Sequence, residues 1–391
     1  MTRRIAVVTG TRADYGLLRW TMVRIAESDS LELCVIATGT HWSEEFGSTH
    51  TEITADGFSI DERVDMLSEL DTPLGVARST GVSTTLLADA LARLKPDLVL
   101  VLGDRFEILA AAQAALLLGI PVAHIAGGEI TEGAVDDAIR HAITKMAHLH
   151  FTAAEEYRQR VIQMGEDPAR VFCVGAVGLD NLERLPLFNE SSLAKSVGLE
   201  LHHPLALCTF HPETLSGVAP TDALRPLFAA LESLPQLQVI ITKANADAGG
   251  REINERLEAF AAAHSDRVAV FASLGQLRYL SLMTVADVVI GNSSSGILEA
   301  PSAGTPTVNI GDRQKGRLRA PSVTDVPNDP EAIRQAIEAA LTDEAQRLAA
   351  ERRSPFGTPG AAAAIVAVLE AVDPATLRTK AFHTIDTGSH T

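Results

Sequence analysis

Cysteine is scarce and unpatterned in this chain. Cys34, Cys173 and Cys208 each lie in an apolar, strand-like run, with no C-x-x-C spacing and no even count. A disulfide framework is thereby excluded, and the three are expected to be buried free thiols in a reducing compartment. Long hydrophobic runs are missing as well. Apolar stretches are short and interrupted by charge, so no membrane span is expected, and the first residues read as a strand in place of a signal peptide. The expected setting is cytoplasmic. Positive charge is in deficit: a formal net charge of −17 argues against a general nucleic-acid or anionic-membrane surface, while leaving room for a local basic pocket. Two phosphate-loop signatures are absent too. No G-x-x-x-x-G-K-[ST] occurs, and the first strand runs into Gly10-Thr11-Arg12, which lacks the second glycine of G-x-G-x-x-G. His141, His148 and His150 are close in sequence, but a helix-to-strand change separates them and no carboxylate or thiol completes a ligand set, so neither metal nor cofactor is expected.

What is present is an α/β pattern. Hydrophobic residues make up 46% of the chain and aromatics only 4%, and a length of 391 residues implies two domains. The most informative stretch runs from Val99 to His150. Residues 98–102 and 121–125 have the length and composition of buried parallel strands, joined by an Ala/Leu-rich helix. Gly103-Asp104-Arg105 follows the first strand, and His124 with Gly127-Gly128-Glu129 closes the second. A further helix from about Val135 carries Asp136 and Asp137 in its first turn, then Arg140 and His141. Ligands of open α/β sheets bind beyond the carboxyl ends of the strands, so these groups are expected to line one crevice.

The same alternation extends in both directions. Residues 4–10 read as a strand, 11–16 as a turn, and a helix is expected from about Leu17. Such a turn, with Asp14 in it, exposes amides that together with Arg12 would bind an anion; the plainer reading makes Arg12 a surface residue. His41 follows the second strand and is either structural or a binder. Later strands, at 149–152 and 171–174, complete a doubly wound parallel sheet. Residues 181–198 are the expected linker, giving domains of 1–182 and 183–372 and a mobile tail over 373–391. A second set of strands is expected at 205–210, 238–242, 268–270, 288–291 and 307–310, with a last helix over 361–372.

The second half has its own polar strand ends. His211-Pro212-Glu213-Thr214 follows one strand and Lys243-Ala244-Asn245 another. In Gly291-Asn292-Ser293-Ser294-Ser295-Gly296 a strand ends in three hydroxyls at a helix start, which suits a diphosphate better than a plain cap needing one hydroxyl. Glu299, a turn further on, is placed either to accept from two ribose hydroxyls or simply to favour the helix start. Arg313, Lys315 and Arg317 cluster just after another strand. That is a concentration of cations in an acidic chain, read either as an anion pocket or as a solvated charge run.

Taken together, Gly10-Thr11-Arg12-Ala13-Asp14-Tyr15, Gly103-Asp104-Arg105-Phe106, Asp136-Asp137-x-Ile139-Arg140-His141, His211-Pro212-Glu213-Thr214, Asn292-Ser293-Ser294-Ser295-Gly296 and Arg313-Gln314-x-Gly316-Arg317 span nearly the whole chain. This set resembles the sugar-nucleotide 2-epimerases, specifically the hydrolysing UDP-N-acetylglucosamine 2-epimerases of sialic-acid-type biosynthesis. The resemblance implies a GT-B fold, two Rossmann-like domains around a cleft, a last helix crossing back to the first domain, and a homodimer or homotetramer. It implies loss of the C2 proton and of the nucleoside diphosphate to give a 2-acetamidoglycal, then addition of water, releasing the free 2-epimer and UDP. On this reading Asp104, Glu129, Asp136 and His211 are catalytic. Arg12, Asp14, His41, His124, Arg140, Asn245, Ser293, Ser294, Ser295, Gly296, Glu299, Arg313 and Arg317 hold a UDP-linked, or alternatively GDP-linked, sugar. One departure stands out: where many relatives carry a glutamate two residues after the strand histidine, this chain has Ala126. Either Glu129 or Glu132 supplies that carboxylate, or the sugar differs, as a 2,4-diacetamido-trideoxy sugar would. A non-hydrolysing epimerase, a GT-B glycosyltransferase and a silent nucleotide-sugar sensor are the alternatives.

Overall fold

Short runs of Val, Leu, Ile and Ala become strands here because helices cover both faces of the sheets they form. The computed structural model describes residues 2–385 apart from 45–46, 67–71, 132–134, 213–219 and 245–249. The chain divides into two compact units, the first drawing on residues up to 129, 135–181 and 359 onward, the second chiefly on 182–358. In unit 1, β1 (Arg3–Thr9), β2 (Leu31–Ala37), β3 (Glu62–Arg63), β4 (Leu98–Leu102), β5 (Val122–Ile125), β6 (Leu149–Thr152) and β7 (Val171–Cys173) pair in the order β3-β2-β1-β4-β5-β6-β7. In unit 2, β8 (Leu205–Thr209), β9 (Gln238–Thr242), β10 (Val268–Phe271), β11 (Val288–Gly291), β12 (Thr307–Ile310) and β13 (Val323–Val326) pair as β10-β9-β8-β11-β12-β13. Every pairing is parallel. Both orders reverse once, between β1 and β4 and between β8 and β11, and such switch points are where open α/β sheets bind ligands.

Several expectations are corrected. The first helix is Arg12–Ala26, five residues earlier than expected, because Thr11 and Asp14 form a reciprocal capping box that starts it at once. The expected linker contains two helices, Leu179–Arg184 and Glu190–Val197, the second capped by Asn189 and ended by left-handed Gly198. The helix expected after the serines is two short ones, Ser295–Leu298 and Ala300–Ala303, with Pro301 unable to donate to a continuous ladder. Strand β13 and the helices Pro330–Ala340 and Asp343–Ala350 add to unit 2. Cys173 is exposed, since β7 is an edge strand.

The last helix, Ala361–Ala371, lies in the expected span 183–372 yet belongs to unit 1, the return to the first domain that the resemblance implies, and there Ile365 and Leu369 complete the core on one face of the sheet with Ile5, Leu18 and Phe151. Of the tail expected to be mobile over 373–391, residues 386–391 lie outside the described residues, and the part before them is anchored on unit 1: Leu377 is buried, and Arg170 donates to the carbonyls of Thr376 (3.0 Å) and Thr379 (3.1 Å). Buried Asp180 receives this returning chain. Its carboxylate accepts from the amides of Gly360, Ala361 (3.2 Å) and Ala362 (2.8 Å), the orphan donors of the helix start. Asp180→Ala is therefore expected to cost about 2 kcal/mol, lowering the thermal midpoint by about 4–8 °C. Differential scanning calorimetry of the two proteins checks this, and an unchanged midpoint contradicts it.

Candidate functional site

In unit 1 the switch point is shaped by what must fit between strand ends. A Cβ on Gly10, after β1, would come 2.5 Å from Cγ of Glu107, a buried residue in the first turn of the helix Phe106–Leu117, so only glycine lets the two approach. Beyond β4, Gly103 turns with φ of +82° and presents Asp104. Beyond β5, Ala126 and Gly128 both have positive φ and lead to Glu129, itself buried. The helix Val135–Met146 brings up Arg140, whose side chain is 2% exposed. Its guanidinium binds the Asp104 carboxylate, the Glu129 carbonyl at 3.0 Å and Asp137 Oδ1 at 3.4 Å. Burial disfavours that charge, but Asp104 and Glu129 outweigh it and hold the Arg140 pKa above its ordinary value. Arg140 thus gathers two strand ends and a helix start. Asp137 joins this cluster, a role not assigned to it from sequence, while Asp136 lies exposed on the same turn.

Three residues expected to bind ligand are used internally. His124 is fully buried; its Nε2 meets the Gly103 carbonyl at 2.8 Å and its Nδ1 the Thr144 hydroxyl at 3.3 Å. Burial pushes its pKa down to about 3, so it is a neutral tie between the β4 end and the 135–146 helix. His41 is likewise buried between Thr9 (3.0 Å) and Thr49 (2.8 Å), its pKa lowered to about 4 by burial. The Asp14 carboxylate accepts from the amides of Gly10 and Thr11, both at 2.9 Å, and from the Thr9 hydroxyl at 2.8 Å. Its geometry serves the helix cap. Arg12 stands at the helix start, 3.7 Å from Glu52.

In unit 2 the switch point is held by a residue with no role assigned to it above. The Asn292 side chain is fully buried and takes both backbone groups of His211, accepting from its amide at 2.7 Å and donating to its carbonyl at 2.9 Å. The Asn292 carbonyl in turn accepts from Arg313 (3.1 Å) and Gln314 (2.9 Å). One asparagine therefore fixes the ends of β8 and β11 and the loop after β12. Gly291, just before it, has φ of +130°, and a Cβ there would stand against the Thr209 carbonyl. His211 is 6% exposed, and burial followed by the nearby Arg313 charge brings its pKa down to about 3.

The serine run is partly engaged with itself, the Ser295 amide donating to Ser293 Oγ at 3.4 Å, while the half-buried Tyr279 places its hydroxyl 3.4 Å from that of Thr209 and burial raises its pKa. No local pattern marked Tyr279. Gly296 faces the sheet, where a Cβ would press on Thr307 at 2.9 Å, so its lack of a side chain serves packing. Glu299 lies at the junction of the two short helices. Arg319 fixes the cationic loop, donating to the carbonyls of Gln314 and Arg317 (both 2.9 Å) and pairing with Asp325. That loop carries Arg313 beside His211 and Asn292, with Arg317 four residues further along it. Asn245 and Glu132 lie outside the described residues. Among the described residues no group of three or more His, Cys, Asp or Glu is placed to hold a metal ion, and no helix is long and apolar enough to cross a membrane.

Comparison with known proteins places this geometry. The profile of the family described as UDP-N-acetylglucosamine 2-epimerase matches residues 23–370. A Campylobacter jejuni protein named GDP/UDP-N,N'-diacetylbacillosamine 2-epimerase (hydrolyzing) is 42% identical over 323 residues, 83% of this chain and 84% of the relative. A Legionella pneumophila protein named UDP-N,N'-diacetylbacillosamine 2-epimerase (hydrolyzing) is 37% identical over 346 residues, 87% of this chain and 89% of the relative. The crystal structure of the UDP-GlcNAc 2-epimerase from Neisseria meningitidis bound to UDP-GlcNAc is similar with a TM-score of 0.82 at 18% identity, over 94% of this chain and all of that one. At that identity the structural likeness speaks to the fold, while the sequence likenesses and the matched profile reach further: this chain belongs to the UDP-N-acetylglucosamine 2-epimerase family.

Proposed function

We propose that this chain is a hydrolysing nucleotide-sugar 2-epimerase whose substrate is a UDP-linked 2,4-diacetamido-2,4,6-trideoxyhexose, serving nonulosonic acid biosynthesis. The observation that carries the reading is the gathering of the Asp104 and Asp137 carboxylates and the Glu129 main-chain carbonyl around one buried guanidinium at the unit 1 switch point. Two further points support the choice of sugar: the relatives named for diacetylbacillosamine, and Ala126, which removes an acid from the strand end.

The chemistry needs two kinds of group. A carboxylate takes the C2 proton; the C–H electron pair forms the C1=C2 bond, and the C1–O bond breaks with its pair leaving on the diphosphate. Water then adds across the glycal, its oxygen to C1 and a proton to the opposite face of C2, giving free 2-epimer and UDP. Asp104, Glu129 and Asp136 or its neighbour Asp137 are the proton carriers in unit 1, with Arg140 setting their geometry. Unit 2 supplies the electrostatics for the departing diphosphate through Arg313, Arg317, the serine hydroxyls and His211. A neutral His211 acts there as a hydrogen-bond donor, with Arg313 as the charge.

Asp104→Asn is expected to lower kcat by about 10²–10⁴-fold, the usual scale for losing a positioned acid or base, while UDP affinity stays within about twofold because the proposed diphosphate groups are untouched. Proton NMR in D2O with the UDP-linked diacetamido sugar, its GDP counterpart and UDP-GlcNAc reads product, nucleotide release and C2 deuterium together. Exchange at C2 with the sugar still nucleotide-linked points to the non-hydrolysing alternative, and a fully active Asp104→Asn removes Asp104 from the mechanism.

The His211 imidazole provides a second check. Its folded pKa of about 3 lies below the unfolded value near 6.5, so the unfolded chain binds the extra proton and folding stability falls as pH drops from about 6.5 towards 3. In the free protein the His211 ring signals are expected to stay fixed between pH 5 and 8. A titration midpoint near 6.5 would replace the neutral donor with a cation.

A further inference from the structure

The far end of the 135–146 helix from Arg140 carries a buried ionic cluster that the reaction does not use. Glu166, with a side chain 2% exposed, lies between Lys145 Nζ (2.5 Å), Lys380 Nζ (2.7 Å) and His150 Nε2 (3.0 Å). Burial by itself would raise the Glu166 pKa, but these three neighbours hold it down at about 2. Lys380 reaches the cluster from the last part of the chain and does a second thing there. Its ammonium donates to the carbonyls of Ala147 (2.6 Å) and Lys145 (2.7 Å), with Thr144 further off at 3.4 Å. Those are the carbonyls that a helix leaves without an intrahelical partner at its C-terminus, where positive charge also complements the helix dipole.

An ammonium has three protons. Glu166 and two carbonyls use all of them, so Lys380 has one geometry and not a range of them. The segment carrying it is fixed on both sides. Arg170 holds the Thr376 and Thr379 carbonyls, the His383 amide donates to the Gly165 carbonyl at 2.9 Å, and the Phe382 ring takes the Lys145 ammonium at 5.1 Å from its centroid. Every group in this clamp belongs to unit 1.

We propose that Lys380 is a positioning residue for the reaction. The segment 376–383 clamps the last turn of the 135–146 helix, and the helix carries that constraint to Arg140, less than two turns away, and to Asp137 within one turn beyond it. Arg140 contacts the ends of β4 and β5 at hydrogen-bond distance, so a slide or rotation of the helix by an ångström would break the carboxylate cluster. Glu166 and His150 are buried while the two lysines reach them from the surface; ion pairs of this kind are weak evidence of stabilisation, and a fixed register is what the charges add. The proposal rests on the functional reading above, since it is that reading which gives Asp137 and Arg140 their task.

The test compares the full chain with Lys380→Met and Lys380→Arg, measuring kcat, KM, UDP affinity and amide hydrogen exchange along residues 135–147. Lys380→Met is expected to lower kcat about tenfold or more, well within the loss that an ångström of misplacement brings, with KM and UDP affinity within about twofold and faster exchange at 144–147. Lys380→Arg, which can still donate to carbonyls and pair with Glu166, is expected to recover most of the kcat. If Lys380→Met does not fold, Arg170→Gln loosens the same segment while leaving Lys380 in place, and an intermediate loss of kcat is expected. Unchanged kcat alongside faster exchange overturns the positioning role, as does a kcat loss that Lys380→Arg fails to recover. Unchanged exchange overturns the clamp whatever the activity, and a wild-type chain inert towards all three nucleotide sugars overturns the functional reading instead.

Discussion

A guanidinium taken out of water has to find its partners inside the protein, and Arg140 finds them on two strand ends and its own helix. Much of unit 1 follows from that requirement. Asp104 has to leave β4 at the angle that meets the guanidinium, which the left-handed Gly103 allows. The Glu129 carbonyl has to turn back towards the helix, which the positive φ of Ala126 and Gly128 allows. The helix has to keep its register, and His124 and Thr144 link its second half to the Gly103 carbonyl. Removing Asp104 would leave a buried charge short of its main partner, and breaking a pair in this way costs far more than the pair adds when intact.

Unit 2 solves the same geometric problem without charge. Asn292 stands at the equivalent switch point and satisfies four groups through one neutral amide and its own carbonyl. The difference matters for electrostatics. A carboxylate in that place would add a negative charge beside Arg313, whereas an amide makes the same backbone contacts without one. Burial keeps His211 neutral beside Arg313 for a related reason, because two cations packed together would each oppose the other.

The strands were legible almost to the residue. Four- and five-residue apolar runs bounded by polar groups have few other readings, and β4, β6, β9, β11 and β12 sit at their expected positions. The strand ends were legible for the same reason, and Asp104, Glu129, His211 and Arg313 follow β4, β5, β8 and β12 where the sequence pattern puts them. What could not be read is who satisfies whom. His41, His124 and Asp14 carry the right chemistry for ligands, but each is buried and bonded to main chain or hydroxyls that lie nearby only in the fold. Asn292 lay in plain view within a motif, and nothing local said that its amide would clasp the His211 backbone, 81 positions earlier. The packed tail was unreadable on similar grounds: a polar segment with one lysine looks solvated until Glu166 is seen beneath it.

The return of the chain to unit 1 also constrains how the protein is built. One face of the first sheet is covered by Ile365 and Leu369 from the last helix, so that face lacks part of its apolar cover until residues beyond 359 are available. The start of this helix is capped by Asp180 and the segment after it ends on Glu166, both already present in the earlier half of unit 1. Residues 182–358 form unit 2 largely as one continuous piece and need nothing from the chain end for their own core. The two units therefore differ in contact order by construction: loop closure over some 180 positions falls on unit 1 alone, and that entropic cost grows only slowly with loop length. The helix that completes the unit 1 core and the segment whose Lys380 meets the end of the helix carrying Arg140 both come from beyond residue 359.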